Sequence, residues 1–133
     1  MEEWLMLVQV RLKDGTMFPH AYFADLDCDG ALEVRDRDPT FCSSWVAAFD
    51  QVNRRRKLRK INAAVIAVAE ELRREAFLVV SQATRQHEIA SYVSDDFDLI
   101  VRARVLDFED PFVNQLWLAY EKGAFPLPLA ARK

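Results

Sequence analysis

The chain is poor in the residues that build most active sites. Three glycines in 133 residues leave no glycine-rich loop to cradle a phosphate. Two cysteines, Cys28 and Cys42, form neither a CxxC pair nor a zinc pattern, and the two histidines, His20 and His87, have no partner at metal-ligand spacing. No serine or cysteine is tied by sequence to either histidine, so a nucleophile would have no adjacent base. The expectation is a protein that is not an enzyme and needs no cofactor and no metal. Long apolar runs are absent too: nothing approaches the roughly 20 residues that cross a bilayer. The first residues, MEEWLMLVQVRLKDG, place Glu2 and Glu3 where a secretory signal needs positive charge. A cytoplasmic protein is therefore expected, and in that compartment both cysteines read as thiols, with Cys42 in the core.

What is present is ordinary globular material with an uneven charge layout. About half the residues are apolar and 29% are charged, enough for a packed core and too little net charge for disorder. The length fits a single domain, 1–133, and a chain of that size buries about two-thirds of the surface it exposes when unfolded. Residues 54–60, RRRKLRK, hold six of the eighteen basic side chains; the other twelve face 21 acidic ones, so the rest of the chain has a net charge of −9. Clustered Arg and Lys can meet phosphates, yet no aromatic residues interleave with the run, and it reads as a solvated helix face or junction.

The hydrophobic pattern points to an α+β fold, a mainly antiparallel sheet with helices packed on it. Residues 4–12 alternate with a period of two, and with TMFPHAYFAD after the KDG turn they read as a strand pair. ALEVR, 31–35, suits a third strand, and 76–84 with 87–93 a further hairpin turning near Arg85 and Gln86. Asp38 and Pro39 mark a helix start. The stripes Phe41, Trp45, Phe49, Val52 and Leu58, Ile61, Val65, Val68, Leu72 are out of phase at about 100° per residue, which predicts a break near 53–56 and two helices. Residues 97–106 fit either a helix or a strand, and Ser94, Asp95 and Asp96 as a capped start favour the helix. Asp110 and Pro111 begin a last helix that stops at Gly123. The tail AFPLPLAARK is expected to lie across the surface, anchored by Phe125.

One short stretch invites a metal reading. In DLDCDGALEVRD, residues 25–36, Asp25, Asp27, Asp29, Gly30 and Glu33 fall on positions 1, 3, 5, 6 and 9 of an EF-hand loop. Asp36 at position 12 is shorter than the usual glutamate, and Pro19 and Pro39 spoil the flanking helices. A hairpin turn around Asp29 and Gly30 is the plainer reading, with a calcium-responsive or other regulatory interaction module as the alternative function.

Finally, YVSDDFDLIVRARVLDFEDPFVNQLWLAYEKGAFP, Tyr92–Pro126, resembles the carboxy-terminal part of small bacterial immunity proteins from polymorphic-toxin and contact-dependent inhibition systems. The resemblance rests on SDDF, on Trp117 and Tyr120 spaced three apart, and on GAFP. It implies a protein that binds a cognate toxin, for example a basic nuclease, and occludes its active site. An acidic surface would steer it to such a partner. On that reading Asp25, Asp27, Asp29 and Glu33 are the leading contact residues, then Asp95 and Asp96, with Trp117 and Tyr120 in the core.

Overall fold

The computed structural model describes residues 2–129, and among them every regular element is helical. Seven helices follow one another: α1 (Glu2–Asp14), α2 (His20–Asp25), α3 (Cys28–Arg37), α4 (Pro39–Leu58), α5 (Ala63–Thr84), α6 (His87–Val105) and α7 (Pro111–Glu121). The antiparallel sheet expected from the sequence is not there, and the α+β assignment is wrong.

The physical reason lies in the apolar runs. In α1 the buried residues are Leu5, Val8 and Leu12, spaced three and four apart, while Met6 and Leu7 are each 62% exposed. A run that is apolar at nearly every position contains both a period of two and a period of 3.6, so alternation alone cannot choose between them. In α5, Ala76, Val80 and Ala83 are buried at the same helical spacing, and in α6, Ile89, Ala90 and Val93. Their β-branched content suggested strands, and packing overrode that propensity. The turn near Arg85 and Gln86 is real but joins two helices: Arg85 adopts φ 58°, and its N–H caps α5 through the Ser81 carbonyl at 2.8 Å. The third strand and the Asp29–Gly30 hairpin turn are likewise replaced by α3, which starts when the Asp27 carboxylate accepts from the Gly30 N–H at 3.1 Å.

The start signals with an aspartate before a proline hold. Asp38 accepts from the Phe41 N–H at 2.8 Å and Asp110 from the Val113 N–H at 3.0 Å, each followed by proline in the first turn. The break between the two central helices exists but falls after Leu58, where Asn62 caps α5 on the Ala64 N–H. Residues 97–106 are helical through Val105, as favoured, although Ser94 is buried inside α6 and caps nothing; the helix begins seven residues earlier.

α6 is the central element, with ten of its 19 residues buried, and it packs on α4, α5 and α7. Phe97 on α6 meets Phe18 at 5.3 Å and Tyr120 of α7 at 5.1 Å, edge or tilted contacts that favour aromatic pairs. α7 stops at Gly123, whose φ of 80° is costly for any residue with a Cβ; one built there would sit 2.9 Å from the Pro19 ring. Beyond it the tail packs inward instead of lying on the surface. Phe125, Pro126 and Pro128 are buried, and the Phe125 N–H donates to the Tyr22 hydroxyl at 3.1 Å. The last part of the tail, 130–133, lies outside the described residues.

Two smaller expectations change or stand. Cys28, not Cys42, is the buried thiol, because it opens α3 on its core face; both are free. The run 54–60 is fully exposed at the carboxyl end of α4 and the junction after it, where positive charge complements the helix dipole. No helix is long and apolar enough to cross a membrane among the described residues.

Candidate functional site

A carboxylate buried without partners would cost several kcal/mol, and α6 carries one. Asp96 is 0% exposed. The Arg35 guanidinium on α3 meets it as a fork, Nη1 to Oδ2 at 2.8 Å and Nη2 to Oδ1 at 3.0 Å. The Trp45 Nε1–H of α4 donates to Oδ1 at 2.9 Å, and the Tyr120 hydroxyl of α7 to Oδ2 at 2.5 Å. Four donors from three side chains fill the four lone-pair positions of one carboxylate. Arg35 is in turn held under aromatic faces, its guanidinium carbon 4.6 Å from the Phe41 ring centre and 4.8 Å from that of Phe125.

Burial by itself would lower the Arg35 pKa, and the Asp96 charge and hydrogen bonds more than reverse that, so Arg35 keeps its positive charge in the core. Burial first, then the Asp96 charge, pushes the Tyr120 hydroxyl well above the ordinary range. This cluster therefore ties α3, α4, α6 and α7 together through hydrogen bonds to one buried carboxylate.

Above the cluster a cleft of about 240 Å³ opens between α3, α4 and α6. Its walls include Phe41, Trp45, Val46 and Tyr92, and its rim carries Asp36 and Asp95. The Tyr92 hydroxyl donates to both oxygens of Asp36, at 2.8 and 2.9 Å. Burial, then that hydrogen bond, pushes the Tyr92 pKa up to about 12. Asp95 is exposed beside Arg73, its nearest cation at 3.1 Å, yet partial burial raises its pKa against that attraction, helped by neighbouring Asp96 and Asp98.

The candidate contact residues fall into two sets. Asp25 ends α2, Asp27 caps α3, and Asp29 and Glu33 stand on α3, all four exposed. Glu33 pairs with Arg37 at 2.6 Å. Asp29, Glu33 and Asp36 recur at i, i+4 and i+7, so one exposed stripe of carboxylates runs along α3 to the cleft. Asp95 lines the same cleft, whereas Asp96 lies beneath it with no surface to offer. The EF-hand reading loses its loop, because residues 28–37 are helix and a calcium loop needs that segment irregular.

Arg35 was not singled out by sequence reasoning, Asp36 was weighed only as position 12 of a calcium loop, and Trp45 only as part of an apolar helix stripe. The helical spacing of Asp29, Glu33 and Asp36 was visible and would have placed Asp36 on the stripe, had α3 been read as a helix. Nothing local in the sequence marks Arg35 as the partner of Asp96, 61 positions away.

The family model of the immunity protein PIM1 matches residues 7–127. The chain belongs to that immunity protein family. The match extends the resemblance seen at Tyr92–Pro126 across nearly the whole chain, and no curated protein matches it. Within the PIM1 fold seen here, the residues that carried that resemblance, SDDF, Trp117, Tyr120 and GAFP, supply the buried cluster and its surroundings: Asp96 and Phe97, the aromatic contacts of Phe97 with Trp117 and Tyr120, and Phe125 over Arg35. They build the scaffold of this immunity protein, and the exposed carboxylates of α3 stand on it.

Proposed function

We propose that this immunity protein binds a cognate toxin domain through the acidic stripe of α3 and occludes the toxin's active site, without chemistry of its own. The contacts are Asp25 and Asp27 at the α2–α3 junction beside the stripe and Asp29 and Glu33 within it, with Asp95 across the cleft. The observation that carries the reading is the exposure of these carboxylates on a chain belonging to an immunity family. A carboxylate-rich face attracts a basic partner such as a nuclease, raises the encounter rate, and fixes the register of docking. Asp96 plays no direct part; it holds α3 in place from below.

The test is capture of the tagged protein from its native host at low and at moderate salt, with mass spectrometry of what accompanies it. A single stoichiometric partner carrying a basic toxin domain is expected. The variant Asp27→Lys with Asp29→Lys should lose that partner and lose protection against it. Retained binding and protection in that variant would remove the stripe from the interface.

A further inference from the structure

We propose that the cleft between α3, α4 and α6 receives an arginine or lysine side chain of the partner protein, with Asp36 as its counter-ion. The proposal rests on the reading that the partner is a toxin docking on the acidic stripe, and it adds where a basic side chain of that partner ends.

Pairing singles out one carboxylate. Three carboxylates line the cleft, and two of them, Asp95 and Asp96, already have cations. Arg35 serves Asp96, Arg73 reaches Asp95 at 3.1 Å and Asp98 at 3.6 Å, and Arg102 holds Asp98 at 3.1 Å. Among the described residues, Asp36 has only the neutral Tyr92 hydroxyl. A carboxylate held by a neutral donor at the rim of a cavity still has its charge to satisfy, and a cation is what satisfies it.

Shape and lining say which cation. The cleft, at about 240 Å³, has room for a long side chain. Its walls are aromatic and apolar, and Val46 is 56% exposed beside it. An arginine or lysine enters such a site with its methylene stem against the apolar wall and its head at the carboxylate, and aromatic walls add attraction for the cation. An anionic ligand is disfavoured, because the Arg35 fork is already taken by Asp96 and the rim is acidic. Asp95, whose ionised form partial burial disfavours, also gains from a cation brought to the rim.

The experiment needs no toxin. The full chain, labelled with nitrogen-15, is titrated with Nα-acetyl-arginine amide and separately with its neutral counterpart Nα-acetyl-citrulline amide. The expected result is saturable shifts at the Trp45 indole N–H and at the amides of Val46 and Tyr92, in the millimolar range and with the arginine probe only. Asp36→Asn should weaken this binding about tenfold, whereas Asp36→Glu and Asp29→Asn should retain it. Both Asp36 variants change an exposed side chain, and an unchanged amide spectrum elsewhere verifies the fold. Equal shifts with citrulline, no shift at Trp45 and Tyr92, or an Asp36→Asn variant that binds as before overturns the proposal. If the arginine probe fails while reversal of Asp27 and Asp29 still abolishes toxin capture, the cleft proposal falls and the toxin reading stands. If the probe binds as expected and no toxin is ever captured, the cleft keeps its chemistry and the toxin reading falls.

Discussion

Two tyrosines that donate to carboxylates make the protein sensitive to alkali. Tyr120 is buried and donates to Asp96; Tyr92 is half-buried and donates to Asp36. In both, burial is the first cause of a raised pKa and a carboxylate the next, and for Tyr92 the value reaches about 12. An unfolded tyrosine ionises near 10. Below that pH the contribution of each hydroxyl is present in full. Between about 10 and 12 the unfolded chain gives up its protons first, so stability falls as pH rises through that window. Urea midpoints measured across it should drop steeply in the native protein and less steeply in Tyr120→Phe, with Tyr92→Phe between them. If tyrosinate absorbance of the folded protein rose in one step near 10, the hydroxyls would not be held as described.

At the scale of elements, one carboxylate decides how four helices meet. Asp96→Asn removes the charge but keeps the shape, and leaves the Arg35 guanidinium buried without a counter-ion. Breaking one side of a buried pair costs about 3–5 kcal/mol, a large share of the roughly 5–15 kcal/mol that holds a domain folded. Arg35→Met combined with Asp96→Asn should recover much of that loss, since no unpaired charge then remains. Denaturant unfolding of the two singles and the double decides it: additive losses would mean that the pair does not couple α3 to α6. How much of this the sequence showed varies by element. Asp38 with Pro39, Asp110 with Pro111, and Gly123 were legible because a cap, a proline and a positive φ act locally. The sheet was a misreading because α1, α5 and the start of α6 are apolar on more than one face, so their periodicity is ambiguous until packing is known. The same error hid the site. SDDF looked like a helix start, which put Asp96 in water, whereas the helix begins at His87 and turns Asp96 into the core.

For the whole molecule the net charge of −3 combines +6 in the exposed run 54–60 with −9 over the rest of the chain, the carboxylates of α3 and the cleft among it. Within the run, Arg59 pairs with Asp107 at 3.3 Å and Arg55 lies 4.8 Å over Phe108, so those two serve the fold locally. Arg54, Arg56, Lys57 and Lys60 are exposed, and changing all four to Gln takes the net charge from −3 to −7. For a basic partner docking at α3, these four charges only repel at a distance. Screening over about 8 Å at physiological ionic strength confines the repulsion to dilute salt. The variant should therefore bind the captured toxin with an association rate several-fold higher at low salt. The difference should vanish as salt rises, and the dissociation rate should not change. Stopped-flow association at a series of salt concentrations makes the comparison. A slower association, or a faster dissociation that persists in salt, would show that the basic run touches the partner, and would move the interface from α3 to the carboxyl end of α4.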